Sequence, residues 1–197
     1  MEFVLASNSP RRKELLSLLG LPYRVQPADV DETPLDGEPA ADYVVRLAQT
    51  KARAVGRQVG DGAWVIAADT TVSDRGRILG KPADAVEAVS VLRQLCGRQH
   101  QVYTALALLR TASELIWDTI CLTEVPMRQY SEAEIQAYVA SGDPLDKAGA
   151  YAIQHAGFHP VASLQGCYAN VMGLPLCHLA RLLRQVGIEP VRPVAQA

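Results

Sequence analysis

The chain has 197 residues, with 19 lysines and arginines against 21 aspartates and glutamates, and a formal net charge of −2. Hydrophobic residues make up 49% and charged residues 20%, a composition that excludes disordered and fibrous proteins and fits one domain with a sizeable core. No apolar run approaches the roughly 20 residues of a membrane-spanning helix, so we expect no membrane partner. The near-zero charge balance argues against a nucleic-acid partner, which would require a broad basic surface.

The four cysteines are scattered along the chain and form no CxxC pair: Cys96, Cys121, Cys167 and Cys177. This spacing fits neither a disulfide framework nor a usual zinc site, so we interpret them as small buried residues. The first residues lack the charged segment and the long apolar stretch of a secretion signal. Together these observations predict a cytoplasmic protein.

Apolar patterning predicts that strands and helices alternate along the first half of the chain. The predicted strands lie at 3–6, 23–26, 63–68 and, as a short strand after a turn, within 74–80. The predicted helices lie at 10–19, 40–59 and 85–95. Ser9 caps the first helix and Pro10 opens it, while Asp84 caps the third, because these residue types favour helix starts.

Strands cluster in the second half of the chain. Two long ones are predicted at 102–109 and 116–125, antiparallel to each other, and two short ones at 151–154 and 161–164. Ser131 and Glu134 form a capping box for a helix that ends near residue 140, and Pro175 opens a last helix through residue 186. Early alternation followed by clustered strands predicts an α/β fold with a mixed sheet flanked by helices.

Three cations, Arg11, Arg12 and Lys13, fall in the first turn of the first predicted helix. The helix dipole disfavours each cation there by about 0.3–1 kcal/mol. A bound anion would reverse this cost, since free N–H groups and arginine side chains both bind phosphate. Ser7 and Ser9 add hydroxyl groups just upstream. The sequence therefore predicts a phosphate site here, with a solvated basic turn as the alternative.

Lys51 lies on the apolar stripe of the helix at 40–59, four residues from both Leu47 and Val55. A lysine on such a stripe extends its amine to the surface, pairs with a carboxylate or borders a cleft. The sequence leaves these possibilities open, and a phosphate in the cleft would favour the last.

Asp69 follows the apolar strand at 63–68 directly. The carboxyl ends of strands are where open α/β sheets bind ligands, so we expect Asp69 to hold a metal or accept a proton, with a cap or turn role as the alternative. The acidic loop at 27–39 adds Asp29, Asp31 and Glu32, whose hard oxygens suit Mg²⁺.

Two further segments carry polar side chains suited to a nucleotide. Gly80-Lys81-Pro82 places a lysine in a rigid loop, although it is not a Walker A motif. The segment at 144–154 contains the pair Asp146 and Lys147 and ends at Gln154, whose amide can read the edge of a base.

A series of motifs in register resembles the Maf family of nucleoside triphosphate pyrophosphatases. The matching segments are LASNSPRR (5–12), VDE (30–32), RLAQTKA (46–52), ADT (68–70), GKP (80–82), DKAGAYAIQ (146–154) and NVMGLP (170–175). The resemblance implies one catalytic domain at 1–187, with two lobes around a cleft and a fold similar to inosine triphosphate pyrophosphatases. A short tail is left at 188–197.

The resemblance also implies an activity: hydrolysis of a nucleoside triphosphate between its α and β phosphates, with Mg²⁺ or Mn²⁺ as cofactor. Family members are cytoplasmic and often homodimeric, so we expect both here. The motifs are most similar to the subfamily that acts on dTTP and UTP. A preference for 7-methyl-GTP or another modified nucleotide is one alternative, and a non-catalytic nucleotide sensor that regulates cell division is another.

Site roles carry over by position. Asp69 matches the proton acceptor, and Glu32 matches an acidic residue that we expect to hold the metal together with Asp69. The groups expected around the phosphates are Ser7, Arg12, Lys51 and Lys81, of which the last three are predicted to be catalytic. The positions associated with substrate choice are Arg11, Thr70 and Gln154.

Overall fold

The structure is a computed structural model that describes residues 1–192. None of the helices in these residues combines the length and the apolar composition that a membrane-spanning helix needs. Residues 193–197, the end of the predicted tail, lie outside the described residues. The strands are β1 (Glu2–Leu5), β2 (Tyr23–Val25), β3 (Ala63–Asp74), β4 (Arg77–Leu79), β5 (Gln99–Arg110) and β6 (Leu115–Pro126). The helices are α1 (Pro10–Ser17), α2 (Ala40–Gly56), α3 (Ala85–Leu95), α4 (Glu132–Ala140), α5 (Tyr168–Val171) and α6 (Leu176–Gln185). Two short 3₁₀ helices lie at Asp143–Asp146 and Ala148–Ala150.

The strands form one mixed sheet in the order β2-β1-β3-β5-β6, with β4 beside the far end of β3. β1 runs parallel to β2 and β3, whereas β3, β5 and β6 are antiparallel neighbours. The predicted α/β class with a mixed sheet is therefore confirmed, as is the antiparallel pairing of the two long strands.

One edge of β3 is open in the middle of the sheet. Its register with β1 ends where Leu5 pairs with Ile66, and its register with β4 starts only where Val72 pairs with Leu79. Within the described chain no strand lies beside residues 67–71 on this side, and we call this stretch the sheet gap. Because β1 ends here, the loop that leads into α1 also starts at the sheet gap.

Side chains of β3 alternate between two apolar layers, as strand geometry requires. Trp64 and Ile66 pack in a cluster with residues of α1 and α6, while Val65 and Ala67 pack in a cluster with residues of α2. A third cluster joins α3 and α4 to the far end of the sheet. The first two clusters lie around β1 and the third lies beyond the sheet gap, at the far end of the sheet. We call these two parts of the molecule the two lobes, and the sheet gap lies between them.

Helix starts follow the sequence closely. Ser9 caps α1 by accepting a hydrogen bond from the Arg12 amide, Asp84 caps α3, and Ser131 and Glu134 form the predicted capping box of α4. Each cap satisfies backbone N–H groups that a helix start leaves without partners.

The prediction that the strand ends before Asp69 was wrong. β3 continues to Asp74, because β5 pairs with it as far as Ser73 opposite Gln101. The residues that follow Ala68 are mostly polar, yet Thr71 and Ser73 are buried. Asp69 lies inside the strand, at the level where its parallel neighbour β1 has already ended.

Two short strands predicted late in the chain were also wrong. Residues 151–154 form a turn region in which the Ala152 amide donates to the Tyr138 hydroxyl at 2.9 Å rather than to a strand. In the segment 161–164, Val161 makes an isolated bridge to Met127. The helix α5 was not predicted, since it has one turn and no cap signal. Ile188, at the start of the predicted tail, is buried in the core.

His100 on β5 is buried, with its Nε2 atom 2.9 Å from the hydroxyl oxygen of Tyr151. Burial lowers the pKa of His100 to about 4, although the charge of Asp74 opposes this. The folded protein therefore binds no proton at His100 until the pH nears 4, whereas an unfolded chain binds one below about pH 6.5. The stability that neutral His100 contributes is complete above about pH 6.5 and is lost as the pH falls toward 4.

We expect His100 to lower the free energy of unfolding by about 2 kcal/mol between pH 7 and pH 5. Urea unfolding at a series of pH values measures this, and His100→Gln should remove that part of the pH dependence. His159→Gln, at an exposed position, is the matched control and should keep it. Equal pH dependence in the wild type and His100→Gln would contradict the assignment.

Candidate active site

A cleft of about 590 Å³ opens at the sheet gap between the two lobes. Its walls come from the loop after β1, the middle of β3, the acidic loop, α2 and the segments around residues 143–154 and 171–173. Every site residue predicted from the sequence lines it: Ser7, Arg11, Arg12, Glu32, Lys51, Asp69, Thr70, Lys81 and Gln154. The fold thus brings together residues that lie far apart in the chain.

Strand alternation sends Asp69 and Thr70 to opposite faces of the sheet at the sheet gap. Asp69 meets Lys51 from α2, whereas Thr70 meets Arg12 from α1. The cleft therefore has two sides, and neighbouring residues of one strand supply a side chain to each.

Lys51 is clamped between two carboxylates. Its Nζ atom lies 2.5 Å from Asp69 Oδ1 and 2.6 Å from Glu32 Oε1. Lys51 and Asp69 are both buried, at 7% and 5% exposure, while Glu32 reaches in from the exposed acidic loop. Of the possibilities left open by the sequence, Lys51 pairs with carboxylates and borders the cleft.

The two carboxylates differ in basicity. Burial raises the pKa of Asp69, and the nearby charges of Lys51 and Arg12 only partly oppose this. Burial favours a higher pKa at Glu32 as well, but the hydrogen bond and the charge of Lys51 outweigh this effect. The pKa of Glu32 is therefore lowered. Environments that push two neighbouring carboxylates apart in pKa mark the more basic one, here Asp69, as a candidate proton acceptor.

Arg12 is held rigidly on the other side of the cleft. Its Nε atom donates to the carbonyl oxygen of Gly173 at 2.9 Å, Nη2 to Thr70 Oγ1 at 3.0 Å and Nη1 to Ser7 Oγ at 3.3 Å. A guanidinium has five N–H groups, so the remaining ones can reach a ligand. Burial lowers the pKa of Arg12, with the charge of Asp69 opposing. The basic start of α1 is therefore not a simple solvated turn.

Three further predicted residues line the cleft without a hydrogen bond to the Lys51 pair or to Arg12: Arg11, Lys81 and Gln154. Within residues 1–192, Lys81 makes no hydrogen bond or ion pair, and its side chain is exposed. Its charge nevertheless acts on Glu32, whose pKa it helps to lower. Lys81 is thus a cation that a ligand can engage at no cost in protein contacts.

Lys147, in the segment that the sequence analysis described as suited to a nucleotide, already uses its amine hydrogens in bonds within the protein. Its Nζ atom binds the Asp143 carbonyl oxygen at 2.5 Å, Asp143 Oδ1 at 2.9 Å and Asp146 Oδ1 at 2.7 Å. Tyr138, which sequence reasoning missed, ties this cluster to α4 by donating to Asp143 Oδ2 at 2.7 Å. The cluster shapes the segment that carries Gln154, and a lone tyrosine in a helix gives no sequence signal for that role.

The carboxylates suit a particular kind of metal site. Among the described residues no group of three or more histidine, cysteine or acidic side chains is arranged to hold a metal. Asp69 and Glu32 nevertheless converge on one cation, the Lys51 ammonium. Mg²⁺ is commonly bound by one or two carboxylates, with phosphate oxygens and water as its other ligands. Asp69 and Glu32 therefore fit a metal whose remaining ligands are phosphate oxygens and water.

Residues 2–186 match the protein family described as Maf-like protein. The chain belongs to the Maf-like family. A relative of this Maf-like chain from Anaeromyxobacter dehalogenans (strain 2CP-1), named dTTP/UTP pyrophosphatase, is 51% identical over 186 residues, or 93% of each chain. A protein of the same name from Methylococcus capsulatus (strain Bath) is 46% identical over 197 residues, or 100% of this chain and 96% of its own. The resemblance to the Maf family is confirmed.

The Maf-like chain also resembles a solved structure, that of the Staphylococcus aureus Ham1 protein. The TM-score is 0.51 at 12% sequence identity, over 94% of this chain and 97% of the Ham1 chain. At that identity the likeness shows a shared fold.

We expect Lys51→Met to lower the free energy of unfolding by about 3 kcal/mol, because it leaves Asp69 buried without its cation. The double variant Lys51→Met with Asp69→Asn removes both charges and should recover most of the loss. Urea unfolding of the wild type, both single variants and the double variant gives the coupling energy. Strictly additive losses would show that the two side chains do not form a buried ion pair.

Proposed function

We propose that this chain is a nucleoside triphosphate pyrophosphatase that hydrolyses dTTP and UTP to the monophosphate and pyrophosphate. One observation carries the proposal: a buried aspartate of raised pKa, ion-paired to Lys51, lines a cleft that also holds Arg12 and Lys81. Proton acceptor and phosphate-binding cations are the parts that hydrolysis of a phosphoanhydride needs. The names of the relatives from Anaeromyxobacter and Methylococcus support the same activity.

The cations determine where a triphosphate binds. Arg12 presents fixed donors from one side of the cleft and Lys51 is fixed on the other, so both are oriented before the substrate arrives. Lys81 and Arg11 add charge from the cleft wall. Groups oriented in advance stabilise the charge that shifts to the leaving pyrophosphate without reorganising during the reaction. Ser7 supports Arg12 by accepting its Nη1–H.

Asp69 accepts the proton of the attacking water in this proposal. Without a bound metal, its raised pKa makes Asp69 a stronger base than Glu32, whose pKa is lowered, and Lys51 holds the Asp69 carboxylate in place. Mg²⁺ or Mn²⁺, held by Glu32 and Asp69, would supply Lewis-acid polarisation of the phosphate oxygens when bound. Arg11, Thr70 and Gln154 contact the base or sugar. The cytoplasmic homodimer that the family resemblance implies belongs to the same proposal.

A substrate panel tests the activity. Pyrophosphate release is measured with dTTP, UTP, CTP, GTP, ITP and 7-methyl-GTP in the presence of Mg²⁺, and we expect dTTP and UTP to have the highest kcat/KM. Asp69→Asn should show no turnover above background but still bind nucleotide, since an amide cannot take the proton. A preference for 7-methyl-GTP, or tight binding with no pyrophosphate release, would overturn the proposal. Near wild-type rates in Asp69→Asn would refute its assigned role.

Lys81→Ala tests whether Lys81 contributes to phosphate binding rather than to the stability of the fold. We expect at least a tenfold loss in kcat/KM for UTP, equivalent to about 1.4 kcal/mol of transition-state stabilisation, with an unchanged unfolding midpoint. The unchanged midpoint follows from the exposure of Lys81 and from its lack of bonds within the described residues. Lys13→Ala, at the start of α1 but outside the cleft lining, is the matched control. Equal kinetics for the two variants would remove Lys81 from the site.

A further inference from the structure

Three hydrogen bonds in series link the cleft to the protein interior. Arg12 Nη2 lies 3.0 Å from Thr70 Oγ1, which lies 2.9 Å from Thr104 Oγ1, which in turn lies 2.9 Å from the backbone oxygen of Asn170. Thr70 and Thr104 face each other directly in the register of β3 with β5.

The chemistry at the two ends of this series fixes the direction of every bond. A guanidinium only donates and a backbone carbonyl only accepts. Thr104 has one hydroxyl hydrogen, and it is donated to the Asn170 carbonyl. Thr70 must then donate its own hydrogen to Thr104. In the reverse assignment, the oxygens of Thr104 and Asn170 would face each other at 2.9 Å with no hydrogen between them.

Burial keeps this arrangement fixed. Thr104 and Asn170 both have 0% exposure, so bulk water does not compete for these bonds. The Asn170 side chain donates to the Val102 carbonyl oxygen at 3.0 Å and to Thr123 Oγ1 at 2.9 Å, which anchors the segment that carries the accepting carbonyl. The hydroxyl hydrogen of Thr70 therefore points into the protein.

Thr70 consequently offers the cleft an acceptor and no donor. One lone pair of its oxygen accepts from Arg12, and the other is free to accept from a ligand. Gly173 keeps this oxygen accessible, because a Cβ atom there would lie 3.2 Å from Thr70 Oγ1 and 3.3 Å from Arg12 Nε. A ligand group beside Thr70 must therefore carry a hydrogen.

We propose that Thr104 is a specificity-determining residue that holds Thr70 as an acceptor for the N3–H group of uracil and thymine. Cytosine has a lone pair at N3, so it would meet the Thr70 oxygen acceptor against acceptor. A site built to form a hydrogen bond with one substrate strongly rejects an analogue that cannot form it, because the polar group of the site is left unpaired. This inference rests on the proposed function and explains why UTP would be chosen over CTP. Thr104 acts through Thr70 and is a positioning residue.

The test compares kcat/KM for UTP and CTP in the wild type, Thr104→Val and Thr104→Ser. Valine has nearly the shape of threonine but neither accepts nor donates, so the Thr70 hydrogen can turn toward a ligand and donate to cytosine N3. We expect the UTP/CTP ratio to fall at least tenfold in Thr104→Val and to stay close to wild type in Thr104→Ser. The Asn170 carbonyl still accepts from the Gly173 amide at 2.9 Å, so we expect Thr104→Val to fold.

An unchanged UTP/CTP ratio in folded Thr104→Val would overturn the inference, since a merely structural role would lower both kcat/KM values together. A measurement on the wild type is independent of any variant: 3-methyl-UTP lacks the N3 hydrogen and should lose at least tenfold in kcat/KM against UTP. Equal rates with the two would show that Thr70 binds another donor, such as a ribose hydroxyl, and would overturn the inference. If the wild type hydrolyses no nucleotide at all, the proposed function itself fails.

Discussion

The structure depends on one constraint, the early end of β1 beside a strand that continues. β1 ends where Leu5 pairs with Ile66, yet β3 runs on to Asp74 because β5 still pairs with it. The sheet gap that results exposes the middle of β3 to the space between the lobes. Since side chains alternate along a strand, Asp69 and Thr70 serve opposite sides of the same cleft. Neighbouring residues of one strand therefore supply side chains to both sides of the cleft.

Charge balance makes the cleft possible. Lys51 pairs with the exposed Glu32 and with the buried Asp69, whose charge would cost several kcal/mol if it were left unpaired. Burial raises the pKa of Asp69 despite its pairing with Lys51, whereas the hydrogen bond and charge of Lys51 outweigh burial at Glu32 and lower its pKa. The net charge of −2 conceals this arrangement, since a few inward-facing cations are outnumbered by acids elsewhere. A protein whose net charge is close to zero can therefore still contain a local cluster of cations.

Sequence reasoning reached the residues whose signal is local. Helical spacing placed Lys51 on the buried stripe of α2, and the cap residues set the start of α1, which carries Arg12. Asp69 lines the cleft although the strand does not end there. Thr104 and Tyr138 could not be found, because their roles depend on strand register and on contacts between distant segments. Thr104 orients the hydroxyl hydrogen of Thr70 across two paired strands, and no local sequence motif indicates such a contact.

The most direct test is a crystal structure of Asp69→Asn with intact UTP and Mg²⁺. We predict the triphosphate within hydrogen-bonding reach of Arg12, Lys51 and Lys81, with uracil N3 at hydrogen-bond distance from Thr70 Oγ1. Such a complex would place both halves of the nucleotide across the sheet gap. A triphosphate bound outside the cleft, or a uracil ring turned away from Thr70, would contradict the account.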